Sequence, residues 1–183
     1  MRISKLVCAW LAAALVGFLM LPSSAPCFAA AQENPEVSTL LNQARDEAAV
    51  LSRDADDMEA LTRTEASWET HADTLRRIKE DVNKLANTTE KLVSARGSAS
   101  PWQRQAIDRM VPLMRDLASN TTAAINHLNQ NRLRPTTPDY TEYLKDNDET
   151  AHQLADTLSN FVQYGQTRAK MEKLEQRLEV ARR

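Results

Sequence analysis

Between Trp68 and Leu92 the chain repeats one spacing without a slip. Trp68, His71, Leu75, Ile78, Val82, Leu85, Thr89 and Leu92 follow one another at intervals of three and four residues. The positions between them are mostly charged or amide residues. This is the apolar stripe of a long amphipathic helix. Such a helix is unstable alone in water and must lay its stripe against partners. The rest of the sequence reads as those partners.

Upstream the pattern is different. Arg2 and Lys5 precede an uncharged run from Leu6 to Leu21, broken by Pro22, Ser23, Ser24 and Pro26 and followed by Ala29-Ala30-Ala31. This is the three-part layout of a secretory signal peptide. The run is short for a membrane span, which needs ~20 apolar residues. Residues 1–31 are therefore expected to be a cleaved leader, and 32–183 a single helical-bundle domain. A retained anchor is the alternative. A lipid on Cys27 is disfavoured, because Ser24-Ala25-Pro26 is a poor lead-in. The expected location is periplasmic or extracellular. Cys8 and Cys27 both lie in the leader, which leaves the exported part without disulfide, thiolate ligand or cysteine nucleophile. The leader has two basic residues and no acidic one, so 21 basic face 25 acidic residues beyond it. That balance speaks against nucleic-acid binding. No later run approaches a membrane span.

Glycine and aromatic residues are scarce and no strand alternation appears, so the class is all-α. The sequence predicts an up-down-up-down four-helix bundle with helices at about 35–62, 65–96, 101–130 and 139–182. Asn34-Pro35-Glu36 supplies a cap, a first-position proline and an acid for helix one. Its stripe is Val37, Leu41, Ala44, Ala48, Leu51, Ala55 and Met58. Asp46, Glu47, Asp54, Asp57 and Glu59 read as a solvated acidic face. Thr62 with Glu65 makes a candidate capping box for helix two. The alternative is one unbroken rod from 35 to 96, ~90 Å long. Arg96-Gly97 closes helix two, and Ser100-Pro101-Trp102-Gln103 opens helix three in a tight antiparallel hairpin. Pro112 inside helix three predicts a bend. Thr137-Pro138-Asp139 caps helix four, whose stripe is Tyr140, Leu144, Asn147, Ala151, Leu154, Leu158, Phe161 and Gly165. Gly165 either weakens the local backbone or permits a close approach. From about 170 to 183 the chain becomes a charged helical extension carrying Met171, Leu174 and Leu178. It is read as a solvated end, or as a short coiled coil to a second copy or an unknown protein partner.

Candidate chemistry is sparse. His71, His127 and His152, with Met58, fall towards one end of such a bundle, where haem or metal can be held between facing helices. Helix rise places His71 and His127 ~5–9 Å from that end and His152 nearer ~20 Å. Glu149-Thr150-Ala151-His152 matches half of a di-iron motif, without a second copy. No covalent-haem, phosphate-loop or hydrolase motif is found. No catalytic residue, metal ligand set or cofactor is assigned. Asn87-Thr88-Thr89 and Asn120-Thr121-Thr122 match the glycosylation pattern, but Thr89 and Thr121 are expected as polar seam residues fixing the register of helices two and three.

Ser100-Pro101-Trp102-Gln103, Asn120 to Asn129 and Phe161 to Gly165 resemble stretches of uncharacterised exported bacterial helical proteins. The resemblance implies export and a helical fold, and transfers no functional residue. The expected function is binding or scaffolding by a non-enzymatic exported bundle. The surfaces offered for it are the acidic face of helix one and the projecting end of helix four. The alternative is a haem- or metal-binding bundle.

Overall fold

The computed structural model describes residues 33–181. The expected leader, its cleavage point after Ala31, both cysteines and the final Arg182-Arg183 lie outside the described residues.

The described chain is an all-α four-helix bundle: α1 (Pro35–Leu61), α2 (Trp68–Ala95), α3 (Pro101–Gln130) and α4 (Pro138–Ala181), with a short 3-10 turn at Arg96–Ser98. Helix α1 packs on α2 and α4, and α3 packs on the same two. Short connections make successive helices antiparallel. No helix among the described residues is long and apolar enough to cross a membrane.

Each stripe closes on the centre. All seven predicted α1 positions from Val37 to Met58 are buried, as are Leu75, Ile78, Val82, Leu85 and Leu92 of α2. Burying one such leucine contributes about 1.5–3 kcal/mol, so the stripes rather than helix propensity hold the elements together. In α4 the stripe departs from the expected register at one position and returns to it at Gly165. Val162 is buried and Phe161 only half-buried, with Arg109 over its ring.

Helices α1 and α2 are separate, but the break differs from the expected one. Thr62 does not cap α2. Its hydroxyl donates back to the Glu59 carbonyl at 2.7 Å, and Thr64 does the same to Leu61 at 2.9 Å. Both threonines satisfy carbonyls that the end of α1 leaves unpaired. Helix α2 starts three residues later than expected, where Ser67 accepts from the Thr70 amide at 3.3 Å. A threonine beside a helix end can cap either way, and here the backward bonds win.

Asn34 caps α1 as expected, accepting from the Glu36 and Val37 amides. Gly97 does not take a left-handed conformation; it winds into the 3-10 turn. Helix α3 is continuous through Pro112. The carbonyl left unpaired one turn back belongs to Asp108, and both residues are exposed, so water can serve it. Gly165 is buried because the Trp102 indole lies on it: a Cβ built there would stand 2.7 Å from Cη2 of the ring. Close approach is therefore its role.

The acidic face of α1 is less solvated than expected. Glu47 is buried and accepts from the Thr88 hydroxyl of α2 at 2.7 Å. Asp54 stands against Asp81 of α2, whose carboxyl is pushed up to about 6, first by burial and then by Asp54. Only part of the face is free surface. Likewise Thr89 and Thr121 do not set the α2–α3 register. Thr89 donates to the Leu85 carbonyl of its own helix at 2.7 Å, and Thr121 accepts from Asn147 of α4 at 3.2 Å.

The last buried residue of α4 is Gly165, and residues 170–181 are exposed throughout. The projecting end is thus a continuation of α4 beyond its neighbours.

Candidate functional site

The start of α2, the end of α3 and the start of α4 meet at one end of the bundle. His71 is fully buried there and its Nδ1 lies 3.3 Å from the Tyr140 hydroxyl. The two rings stand edge to face, with centroids 5.5 Å apart. His127 stacks on the same Tyr140 ring at 5.8 Å, and its Nε2 lies 2.6 Å from the Thr137 hydroxyl. Thr137 also accepts from the Tyr140 amide at 3.4 Å, so the cap of α4 and the aromatic cluster are one unit. Burial holds His71 below its usual value and raises Tyr140 above its own, which keeps both neutral. Nε2 of His71 has no hydrogen-bond partner among the described residues.

Two of the expected histidines are therefore brought together, through Tyr140. Met58 is buried in the core near the end of α1. His152 stands apart from them, as helix rise predicts, in the groove between α1 and α4. Its Nδ1 lies 3.0 Å from Ser52 Oγ, and its Nε2 lies 2.8 Å from Asp56 Oδ1 and 3.6 Å from Asp148 Oδ1. The spacing is simple: Ser52 and Asp56 are one turn apart on α1, and Asp148 and His152 one turn apart on α4. The Glu149 of the partial di-iron motif points elsewhere and pairs with Lys145.

The charges in this groove condition one another. His152 is raised above the usual histidine value, chiefly by its hydrogen bond to Asp56. Asp56 is correspondingly lowered by His152. Asp148 is raised, first by burial and then by the Asp56 carboxylate beside it. The His152 and Asp56 side chains are half-exposed, so their pairing contributes less than about 1 kcal/mol.

No family model, curated protein or solved structure matches this chain.

Ser52, His152 and Asp56 form the chain of contacts that a hydrolytic triad would need. Acyl transfer requires more. Ser52 is only 6% exposed and lies within α1, whose amides are committed to the helical ladder. Neither access for a carbonyl nor donors for an oxyanion are provided there. The arrangement suits holding a cation better, since one imidazole nitrogen faces two carboxylates.

The sequence reading found His152 but not Asp56, Asp148 or Ser52. The available signal was the i, i+4 spacing of Asp148 with His152, directly beside the α4 stripe. From sequence Tyr140 is a seam residue, and its link to both other histidines depends on a facing of α2, α3 and α4 that periodicity does not give.

Proposed function

We propose that this is an exported, non-enzymatic helical bundle that acts by binding or scaffolding, with the projecting end of α4 as its contact. The observation that carries this reading is the apolar face that no described residue covers beyond Gly165. Met171, Leu174 and Leu178 follow at spacings of three and four and are 57%, 57% and 66% exposed. Everywhere else in the bundle such a stripe is buried. Charged residues flank it, as on a helix that pairs with another helix. A second copy of the chain, or a helix of another protein, is the partner this surface suits. The leader-like residues 1–31 support a periplasmic or extracellular location.

Light scattering on the full-length chain and on one stopped at Gln166 tests the contact. Self-association through α4 gives a mass above the monomer in the first and the monomer in the second, with helicity retained in both. Monomers in both would remove self-association.

The second reading, a haem-bearing bundle, is favoured by one observation: the unpaired Nε2 of the buried His71. Tyr140 stands against it, because its ring contacts both His71 and His127 and occupies space a macrocycle would need. Absorbance of the protein isolated from its native compartment decides the point; a colourless protein ends that reading.

A further inference from the structure

We propose that the groove between α1 and α4 is a binding site for one divalent first-row transition ion, held by Nε2 of His152 and by the carboxylates of Asp56 and Asp148. The three donor atoms lie within 4.8 Å of one another. Around an ion with bonds of ~2.1 Å and tetrahedral angles, neighbouring donors stand about 3.4 Å apart. The distances from Nε2 to the two carboxylate oxygens, 2.8 and 3.6 Å, bracket that value. Only small side-chain shifts separate the present arrangement from a coordinating one.

Two further observations point the same way. Nδ1 of His152 is engaged at 3.0 Å by Ser52, which is buried and comes from the facing helix. A hydrogen bond on one ring nitrogen fixes the tautomer and aims the other, which is the usual support of a metal-ligating histidine. Ion binding would release the proton that Nε2 now donates to Asp56, leaving Nδ1–H to donate to Ser52 Oγ and the Nε2 lone pair to the ion. Second, Asp148 Oδ1 is cut off from solvent and has no hydrogen-bond partner among the described residues, although it faces Nε2. A buried carboxylate oxygen left in this state gains from a cation.

Two carboxylates and a neutral imidazole carry a charge of −2, which a divalent ion neutralises. Nitrogen and oxygen donors together suit zinc or its neighbours better than magnesium or calcium. The half-exposed outer side of His152 and Asp56 leaves room for water to complete the shell. Ligation would tie α1 to α4 midway along the bundle, far from the projecting end. The proposal is therefore independent of the α4 contact.

The test is calorimetric titration of the untagged full-length chain with Zn²⁺, beside His152→Ala, Asp148→Asn and, as control, Glu149→Gln. The expected result is one ion per chain, at least ten-fold weaker binding in the first two variants, and unchanged binding in the control. Co²⁺ absorbance gives a second readout: a visible band in the wild type and in the control that is lost in His152→Ala. All four proteins are first compared for helicity. Equal binding by all four, which marks scattered surface carboxylates, overturns the proposal. So does absence of binding at millimolar Zn²⁺.

Discussion

At the end of the bundle where α1 and α3 begin, Gln103 is fully buried and all of its side-chain bonding capacity is used. Oε1 accepts from the Ser100 and Asn34 amides at 2.8 and 3.2 Å; Nε2 donates to the Asn34 carbonyl and to Ser38 Oγ, both at 2.8 Å. At the opposite end His71 is as deeply buried, yet only one ring nitrogen has a partner, at 3.3 Å. A buried polar group stabilises little by itself, but an unpaired one costs its full desolvation. The Gln103 end therefore acts as a clasp whose removal strands several groups. Among the described residues each end also carries unmet buried atoms, Ser100 Oγ and Trp102 Nε1 beside the clasp and Nε2 of His71 at the other, so what separates the ends is an amide with four bonds against a ring with one long one.

The largest expected effect breaks that contrast most directly. Gln103→Leu keeps the volume and removes four hydrogen bonds, and should cost about 3 kcal/mol. Tyr140→Phe at the other end removes one long bond and should cost less than about 1 kcal/mol. Denaturant midpoints at equal slope measure both. Similar losses would mean that the two ends are not differently built. The next effect sharpens the clasp end. Helix propensity alone predicts that Gly165→Ala stabilises by about 1 kcal/mol. The new methyl would meet Trp102 at 2.7 and 2.8 Å, and that ring is 93% buried beside Gln103 (7% exposed). A net loss of about 1–2 kcal/mol is expected from overpacking. A raised melting midpoint would show that the indole moves aside freely.

The clasp was half legible in advance. Ser100-Pro101-Trp102-Gln103 announces a capping box, and its glutamine half forms: Gln103 Oε1 accepts from the Ser100 amide, while Ser100 Oγ has no partner among the described residues. Nothing local says that the same amide also grips Asn34 and Ser38 of α1, because those residues are more than sixty positions away. The stripes of all four helices could be read, since burial follows a period of 3.6 residues. What failed were choices between near-equal local options. Thr62 could cap forward or backward, and Glu149 lies next to Asp148 in sequence but on the wrong side of α4. The groove of Ser52, Asp56, Asp148 and His152 needs the facing of α1 and α4, which the periodicity of either helix leaves open.

The smallest effect isolates the cost of the unpaired histidine. His71 is held below its ordinary value of 6.5 by burial, so the unfolded chain takes up that proton more readily. The sign follows: stability is unaffected above pH ~6.5 and falls as pH drops below it. Asp81 works in the other direction. Its folded value, about 6, lies above the ordinary 3.8, so the folded chain binds that proton more tightly. Its penalty is complete above pH ~6 and is relieved as pH falls towards ~4. Between pH ~4 and ~6 the two oppose, and the wild type should show a shallow acid limb. Asp81→Asn removes one of them. Allowing for the partial exposure of Asp81, it should stabilise by about 1 kcal/mol at pH 7–8 and lose that advantage by pH ~4. Its acid limb should be the steeper one, and adding His71→Phe should flatten it again. Denaturation at several pH values compares the three chains, and the carboxylates they share cancel in the differences. Parallel curves would mean that the buried imidazole carries no acid cost, and the two ends would then differ only in the number of their hydrogen bonds.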